Sequence, residues 1–315
     1  MTTSSPVSDQ TRHSVRDGMV MMVAAMLIIP GIDAIAKSLA GQVSPGQIAA
    51  SRFLFQTLLL APFVIGSVHL RVGRAIWIHA ARGFLIALAT LLFFTSLRVL
   101  PLAEAISIFF VSPLILTVLA AMLLGEPIGW RRILAVLVGF VGALIIVRPS
   151  YALFGWQAIL PFCAAFAFAF YLILTRLLAR EGDPVTIQFY AGVFGGLTMA
   201  IALLAGGMAS IPILTPSWPT ISQWALLALL GVIGTGAHVL VVHAFKRAPA
   251  SILAPFQYLE IISATTLGFL VFGDFPDATT WIGISIIVAS GLYVFHRERA
   301  VAARGATDRS AKPRT

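Results

Sequence analysis

Charged side chains are scarce in this chain, so those set within its apolar stretches are where chemistry would be done. Glu260 is the sole charged residue between 249 and 272, and it falls about 16 Å from the inner end of that stretch at 1.5 Å of helical rise per residue. A carboxylate at the centre of a bilayer binds a cation or carries a proton. The plainer alternative is a Glu bonded to a neighbouring helix. Gln257 lies one turn earlier on the same helical face, Ser263 three residues later, and Tyr258 beside them. His238, with Thr235 one turn before it, is either a proton relay or a packing group, and His243 lies nearer the inner surface. Gln188, Tyr190 and Tyr171 line a cavity or merely bridge helices. A second set sits in the outer third: Asp33, Lys37, Arg52 and Glu104, two acids and two bases whose formal charges sum to zero. Two readings stand side by side for it. One is an ion-pair cluster holding three helices together, and the other is an outer gate or charged-substrate clamp made from the same residues.

The elements that must position these groups are long apolar helices. The chain of 315 residues is 59% hydrophobic and only 10% charged, with mean hydropathy +0.97, against about 25% charged in a soluble domain. Residues 184–245 contain no Asp, Glu, Lys or Arg, a stretch too long for one crossing and too apolar for a soluble core. Unbroken apolar runs also argue against a β-barrel, whose strands alternate. The pattern predicts ten spans, at 18–37, 46–67, 75–97, 100–123, 130–147, 153–178, 184–206, 221–245, 249–272 and 278–296. Gly or Pro stands in most joints, including Gly41, Pro45, Gly125, Pro127, Pro149, Gly182, Pro184, Pro249, Gly273 and Pro276. Residues 1–15 and 298–315 read as disordered cytoplasmic tails. Arg12 and Arg16 precede the first apolar stretch as in a secretory leader, but the internal repeat makes that stretch a span.

That repeat is visible in sequence. Arg98-x-x-Pro101 returns as Lys246-x-x-Pro249 and Gly125-Glu126 as Gly273-Asp274, each 148 positions on. Lys37 and Pro45 return as Arg176 and Pro184, 139 positions on. A longer loop between Gly206 and Pro219 accounts for the difference of nine. Two units follow, 16–148 and 149–297, each with five spans, so the second enters the membrane from the opposite side as an inverted repeat around a central cavity. With the N-terminus inside, only Lys37, Arg52, Arg98 and Arg148 of the 21 Lys and Arg fall outside; the rest, Arg71, Arg82, Arg131, Arg176 and Arg180 among them, gather on the cytoplasmic side. The formal net charge of +9 is this asymmetry rather than a nucleic-acid surface, because the basic residues are dispersed.

Several motifs together carry a family resemblance over about 280 residues. They are Asp33-x-x-x-Lys37, Ser51-Arg52-Phe53, Pro101-Leu102-Ala103-Glu104-Ala105, Pro113, Leu123-Leu124-Gly125-Glu126 and Gly139-x-x-Gly142. In their order and duplication the chain resembles the EamA-type transporters of the drug/metabolite transporter superfamily. The resemblance implies an all-α integral membrane protein of ten transmembrane helices, two inverted five-helix units, in a bacterial inner membrane. Relatives move amino acids, cationic drugs, nucleotide-like metabolites or vitamins, and the Asp33/Lys37 ending resembles branches that take up S-adenosylmethionine or riboflavin. The second unit departs from the pattern, with Leu172, Ala191 and Ile252 where Asp33, Arg52 and Glu104 stand in the first.

The function that follows is a secondary transporter for a small polar organic solute, working by alternating access, either proton-coupled or by exchange. An intramembrane enzyme using Glu260 or His238, and a non-transporting scaffold, are the competing classes. No Walker A loop, no His-Glu-x-x-His pair and no cysteine cluster is present, Cys163 being the single cysteine. The expectation is therefore no enzyme activity, no cofactor and no metal. The expected partners are the solute and the bilayer, without nucleic acid. Ala191-x-x-x-Gly195, Gly192-x-x-x-Gly196 and Gly139-x-x-x-Ala143 allow close helix approach, and the last equally offers a contact between two copies of the chain. Pro113 and Pro255 are expected to kink helices beside the cavity.

Overall fold

The computed structural model describes residues 6–64, 74–124, 130–179, 183–248, 253 and 256–311. Among these the chain is helical without strands. In chain order the helices are α1 Pro6–Leu39, α2 Pro45–Val64, α3 Arg74–Ser96, α4 Leu102–Phe109, α5 Ser112–Leu124, α6 Trp130–Phe154, α7 Leu160–Ala179, α8 Pro184–Met208, α9 Ile221–Arg247, α10 Leu259–Leu267 and α11 Ala278–Ala311. A 3-10 turn, Gly155–Ile159, joins α6 to α7, and a π turn, Gly268–Phe272, ends α10. Seven runs are long and apolar enough to cross a membrane, and Leu259–Phe272 and Ala278–Tyr293 are shorter apolar helices.

The packing pairs the two halves of the chain element by element. α1 lies on α9 as α7 lies on α3, and α8 lies on α3 as α9 lies on α2. α1 packs on α10 as α7 packs on α4 and α5. α2 pairs with α8, and α6 with α11. The halves are thus interleaved, and one apolar core runs through both. Tryptophans mark the ends of the bundle. Trp77 and Trp130 begin helices at one end, while Trp156, Trp218, Trp224 and Trp281 lie at the other, and all six are exposed. Amphipathic indoles at both ends of an apolar bundle are the signature of membrane–water interfaces.

The kink expected at Pro113 is present and interrupts the fourth span. Pro113 offers no N–H and its ring crowds the carbonyl four residues back, so the ladder lapses at Phe110 and Val111 and restarts at Ser112. Pro149 lies inside α6 rather than in a joint, and the turn comes at Gly155, whose φ of +71° suits glycine. Residues 6–15 and 298–311, expected as disordered tails, are helical in continuity with α1 and α11. The Gly125-Glu126-Pro127 turn, Gly182, Pro249, Pro255, Arg71 and Arg180 lie outside the described residues.

Candidate functional site

The two broken helices meet. α4 ends at Phe110, and the backbone turns at Tyr258 before α10 begins. Their rings lie 5.5 Å apart, tilted by 36°. The Tyr258 hydroxyl is pressed against Gly291 on α11, where an added Cβ would fall within bonding distance of it. Glu260 follows in the first turn of α10, partly accessible, and Ser263 one turn on donates its hydroxyl to the Leu27 carbonyl of α1 at 2.9 Å. That bond fixes the face of α10 that presents Glu260 toward α1. Gln257, half-buried, precedes the turn.

Asp33 and Arg52, both from the expected outer cluster, lie within electrostatic reach of each other. Asp33 on α1 is 8% exposed and lies within electrostatic reach of both Glu260 and Arg52. Arg52 on α2 donates Nη1 to Thr90 Oγ1 at 2.8 Å and lies over the Phe53 ring at 5.5 Å, and its charge is felt by Asp33, Tyr171 and His238. Its Nε is buried without a hydrogen-bond partner among the described residues. His238 on α9 holds Nδ1 at 2.8 Å from the Gly234 carbonyl. A carbonyl only accepts, so Nδ1 carries the hydrogen and Nε2 is left free to take a proton. His243 does the same toward Val239. His238, His243 and Gln188 also border a shallow groove between α2, α8 and α9.

The expected cluster of four is divided. Lys37 turns away from Asp33 and pairs with Asp274 at 2.5 Å, donates to the Leu100 carbonyl at 3.0 Å, and lies 4.8 Å from the Phe272 ring centre. Gly273, at φ +74°, ends the π turn and sets Asp274 in place. Glu104 accepts a 2.5 Å hydrogen bond from Ser150 on α6. Near the same end Gln42 meets Gln223 at 2.6 Å, and Gln47 exchanges two bonds with Ser217, so the loop 209–220 is tied over the start of α2.

At the opposite end, Arg82, which the charge distribution assigns to the cytoplasmic side, is drawn into the bundle interior. It is 2% exposed. It donates to Thr175 Oγ1 at 2.7 Å, the Ile187 carbonyl at 2.7 Å, Tyr171 Oη at 2.8 Å and Gln188 Oε1 at 3.4 Å, joining α3 to α7 and α8. Gln56 donates to the Gln188 carbonyl at 2.9 Å, and His79 packs its ring 4.6 Å from that of Tyr190. Gln188, Tyr190 and Tyr171 therefore bridge helices here. The available signal was depth: Arg82 stands about 12 Å into α3 at 1.5 Å per residue. The glycine stripes are spent within the chain too. Gly192 sits against Thr57, Gly142 against Gly283 and Ile286, and Gly139 against Leu114, with Ala143 1% exposed.

A model of the EamA-like transporter family matches residues 16–148 and again 155–295, two repeats that cover most of the chain. The chain belongs to that family. This EamA protein is 29% identical over 271 residues to an S-adenosylmethionine uptake transporter of Rickettsia bellii, covering 85% of this chain and 89% of the relative. It is 30% identical over 227 residues to a riboflavin transporter of Rhizobium johnstonii, covering 70% and 71%. A pseudopaline exporter of Pseudomonas aeruginosa is 26% identical over 279 residues, covering 87% and 94%. A solved crystal structure, 22% identical, shares the fold with a TM-score of 0.60 over 90% of this chain and 98% of the other. The protein is thus a multi-span membrane protein of a small-molecule transporter family.

Proposed function

We propose that this EamA protein is a secondary transporter of a small polar organic metabolite, an amino acid, an S-adenosylmethionine-like cation or a riboflavin-like vitamin, across the bacterial inner membrane. The observation that carries the proposal is the contact between Phe110 and Tyr258, where a broken helix from each half meets the other beside Glu260. Ionisable groups at membrane depth mark substrate or proton paths. Discontinuous helices at a repeat interface are where secondary transporters bind their solutes.

The architecture in this reading is ten crossings. The 43-residue apolar run 133–175 is divided by the 3-10 turn at Gly155 into α6 and α7, α4 and α5 together make one broken crossing, and α10 and α11 supply the last two. The units are 16–148 and 149–297, inverted, with both termini cytoplasmic, as the distribution of Lys and Arg favours. Alternating access then requires the ties at the two ends to open in turn: Lys37–Asp274 and Gln47–Ser217 at one, the Arg82 bonds at the other. His238 Nε2 and Glu260 are the groups through which a proton could be exchanged with the solute.

Ligand-induced thermal stabilisation of the purified protein tests the reading. A panel of amino acids, S-adenosylmethionine, riboflavin and cationic drugs should contain one class that raises the melting temperature, because a ligand that binds only the folded state stabilises it. Glu260→Gln should weaken that rise. An equal rise in the variant would remove Glu260 from the site.

A further inference from the structure

The segment 209–220, between α8 and α9, is shaped by bonds of its own. Ser210 takes the left-handed conformation, φ +54°. Its N–H reaches the Gly207 carbonyl at 3.3 Å, and that of Ile211 reaches the Gly206 carbonyl at 2.8 Å, which satisfies the last carbonyls of α8. The Ile211 carbonyl in turn accepts the Leu214 N–H at 2.9 Å and the Thr215 hydroxyl at 2.8 Å. At the far end Thr220 and Gln223 form a reciprocal cap on α9. Pro212, Pro216 and Pro219 restrict three of the φ angles between.

A separate set of contacts fastens this shape to α2. The Ile213 carbonyl accepts the Gly46 N–H at 3.0 Å. Gln47, buried in the first turn of α2, donates Nε2 to the Ser217 carbonyl at 2.8 Å and accepts the Ser217 N–H on Oε1 at 2.9 Å. The Leu214 side chain is inserted between Gly46 of α2 and Gly206 of α8, and an added Cβ at either glycine would collide with it. These ties are neutral amide bonds and one aliphatic plug, with Ser217 itself exposed. None of them is needed for the turn, the α8 cap or the α9 cap. A segment whose internal bonds and docking bonds are distinct can seat and lift as one piece.

The opposite face has another character. Met208, Trp218 and Ile221 are 90%, 94% and 91% exposed, and no charged residue occurs from 184 to 245. Trp156, Trp224 and Trp281 lie exposed at the same end of the bundle. An apolar, charge-free face with an indole, continuous with that ring of tryptophans, fits the headgroup layer of the bilayer. We propose that 209–220 is a preformed lid over the start of α2, seated in the lipid interface through Met208, Trp218 and Ile221, and that it lifts from Gly46 and Gln47 as a unit. The lid is independent of which solute is carried.

Residue-resolved amide hydrogen exchange of the full chain in phosphatidylcholine nanodiscs tests the lifting. Gly46 and Ser217, whose N–H groups bridge lid and α2, should exchange at a common rate, at least about tenfold faster than Ile211 and Leu214, whose bonds lie within the lid and its α8 cap. Gln47→Ala removes both Ser217 bonds and should speed Gly46 about tenfold further, with Ile211 and Leu214 unchanged. Exchange of all four amides together would mean that the segment unravels. Protection of Gly46 equal to that of Phe53 in the interior of α2 would mean a fixed staple. Either result overturns the lid. The seat is read from Trp218 emission, taken as the difference between wild type and Trp218→Phe. Lipid brominated near the headgroup should quench it and aqueous iodide should not. Quenching by iodide alone overturns the seat, and quenching by neither overturns it in favour of a second copy of the chain. The wild-type exchange rates need no variant and no solute, so their failure leaves the transporter reading in place.

Discussion

The Phe110 ring lies 5.5 Å from the Tyr258 ring, and the two residues are 148 positions apart (258 − 110), the same spacing that separates Gly125 from Gly273. Equivalent residues of the two halves therefore touch. A residue can contact its own repeat partner only near the axis that relates the repeats, so this contact locates that axis, and it does so where both helices are broken. Glu260 lies two residues from it, and its partner Ser112 is buried at the head of α5.

The seat of Tyr258 gives a first prediction. An added methyl at Gly291 would collide with the Tyr258 hydroxyl, so Gly291→Ala should displace the ring from the axis. Overpacking of this kind costs about 1–3 kcal/mol. The melting temperature should fall and flux should drop with it. Adding Tyr258→Ala should recover most of the thermal loss, read by a melting curve on the double variant. Strictly additive losses would show that the two sites do not meet.

Arg82 gives a second. Four bonds join it to α7 and α8, so Arg82→Ala should cost about 2–4 kcal/mol, consistent with a buried hydrogen-bonded charge that links elements. Arg82→Lys should recover little, since an ammonium cannot reproduce the spread of the guanidinium donors. Thermal denaturation in detergent reads both, and near-wild-type melting of Arg82→Ala would contradict the role.

Lys37 and Asp274 give a third. Their side chains are 15% and 31% exposed, so the pair should contribute no more than about 1 kcal/mol. Its consequence should be clearer in flux, because it joins α1 of the first half to the end of α10 in the second. Lys37→Asp and Asp274→Lys should each slow counterflow, and the exchanged double variant should recover it. A double-mutant cycle with no coupling would mean that the pair is incidental.

Asp277 gives a fourth, and its sign is fixed. It lies just before α11 and accepts the Thr280 backbone N–H at 2.7 Å. The backbone and side-chain bonds from Thr280 hold its carboxyl below the usual carboxylate range. A folded value below the unfolded one contributes stability that is fully present above the unfolded value near pH ~3.9 and is lost as pH falls through the folded value. Asp277→Ala should therefore lower stability at neutral pH by about 1 kcal/mol, as for a lost N-cap, read as a fall in melting temperature. The gap from wild type should narrow below about pH 4.

Helix class, repeat and span positions could be read from the sequence because each depends on a local quantity: apolar run length, or the recurrence of a Gly-acid pair. The break at Phe110 was signalled by Pro113. Partnership across the bundle was not legible. Lys37 and Asp33 share one helix face by spacing, yet Lys37 finds its acid 237 residues away, on a turn set by the left-handed Gly273. Depth counted along single helices put Asp33 in an outer layer and Glu260 in the centre. Interleaving of the halves brings the two carboxylates into one neighbourhood, which single-helix counting cannot show. The burial of Arg82 was not legible for a similar reason: a basic residue in the first third of a span can face the cytoplasm or the core, and only the Thr175, Tyr171 and Ile187 acceptors on other helices decide it.

The most direct test of the central claim is counterflow in proteoliposomes preloaded with unlabelled solute from the class identified by thermal stabilisation, comparing wild type with Glu260→Gln at matched protein density. The account predicts saturable, trans-stimulated uptake by wild type that falls at least about tenfold in Glu260→Gln, with the melting temperature little changed. Uptake that is equal in the two proteins, or chemical conversion of the solute without its translocation, would contradict it.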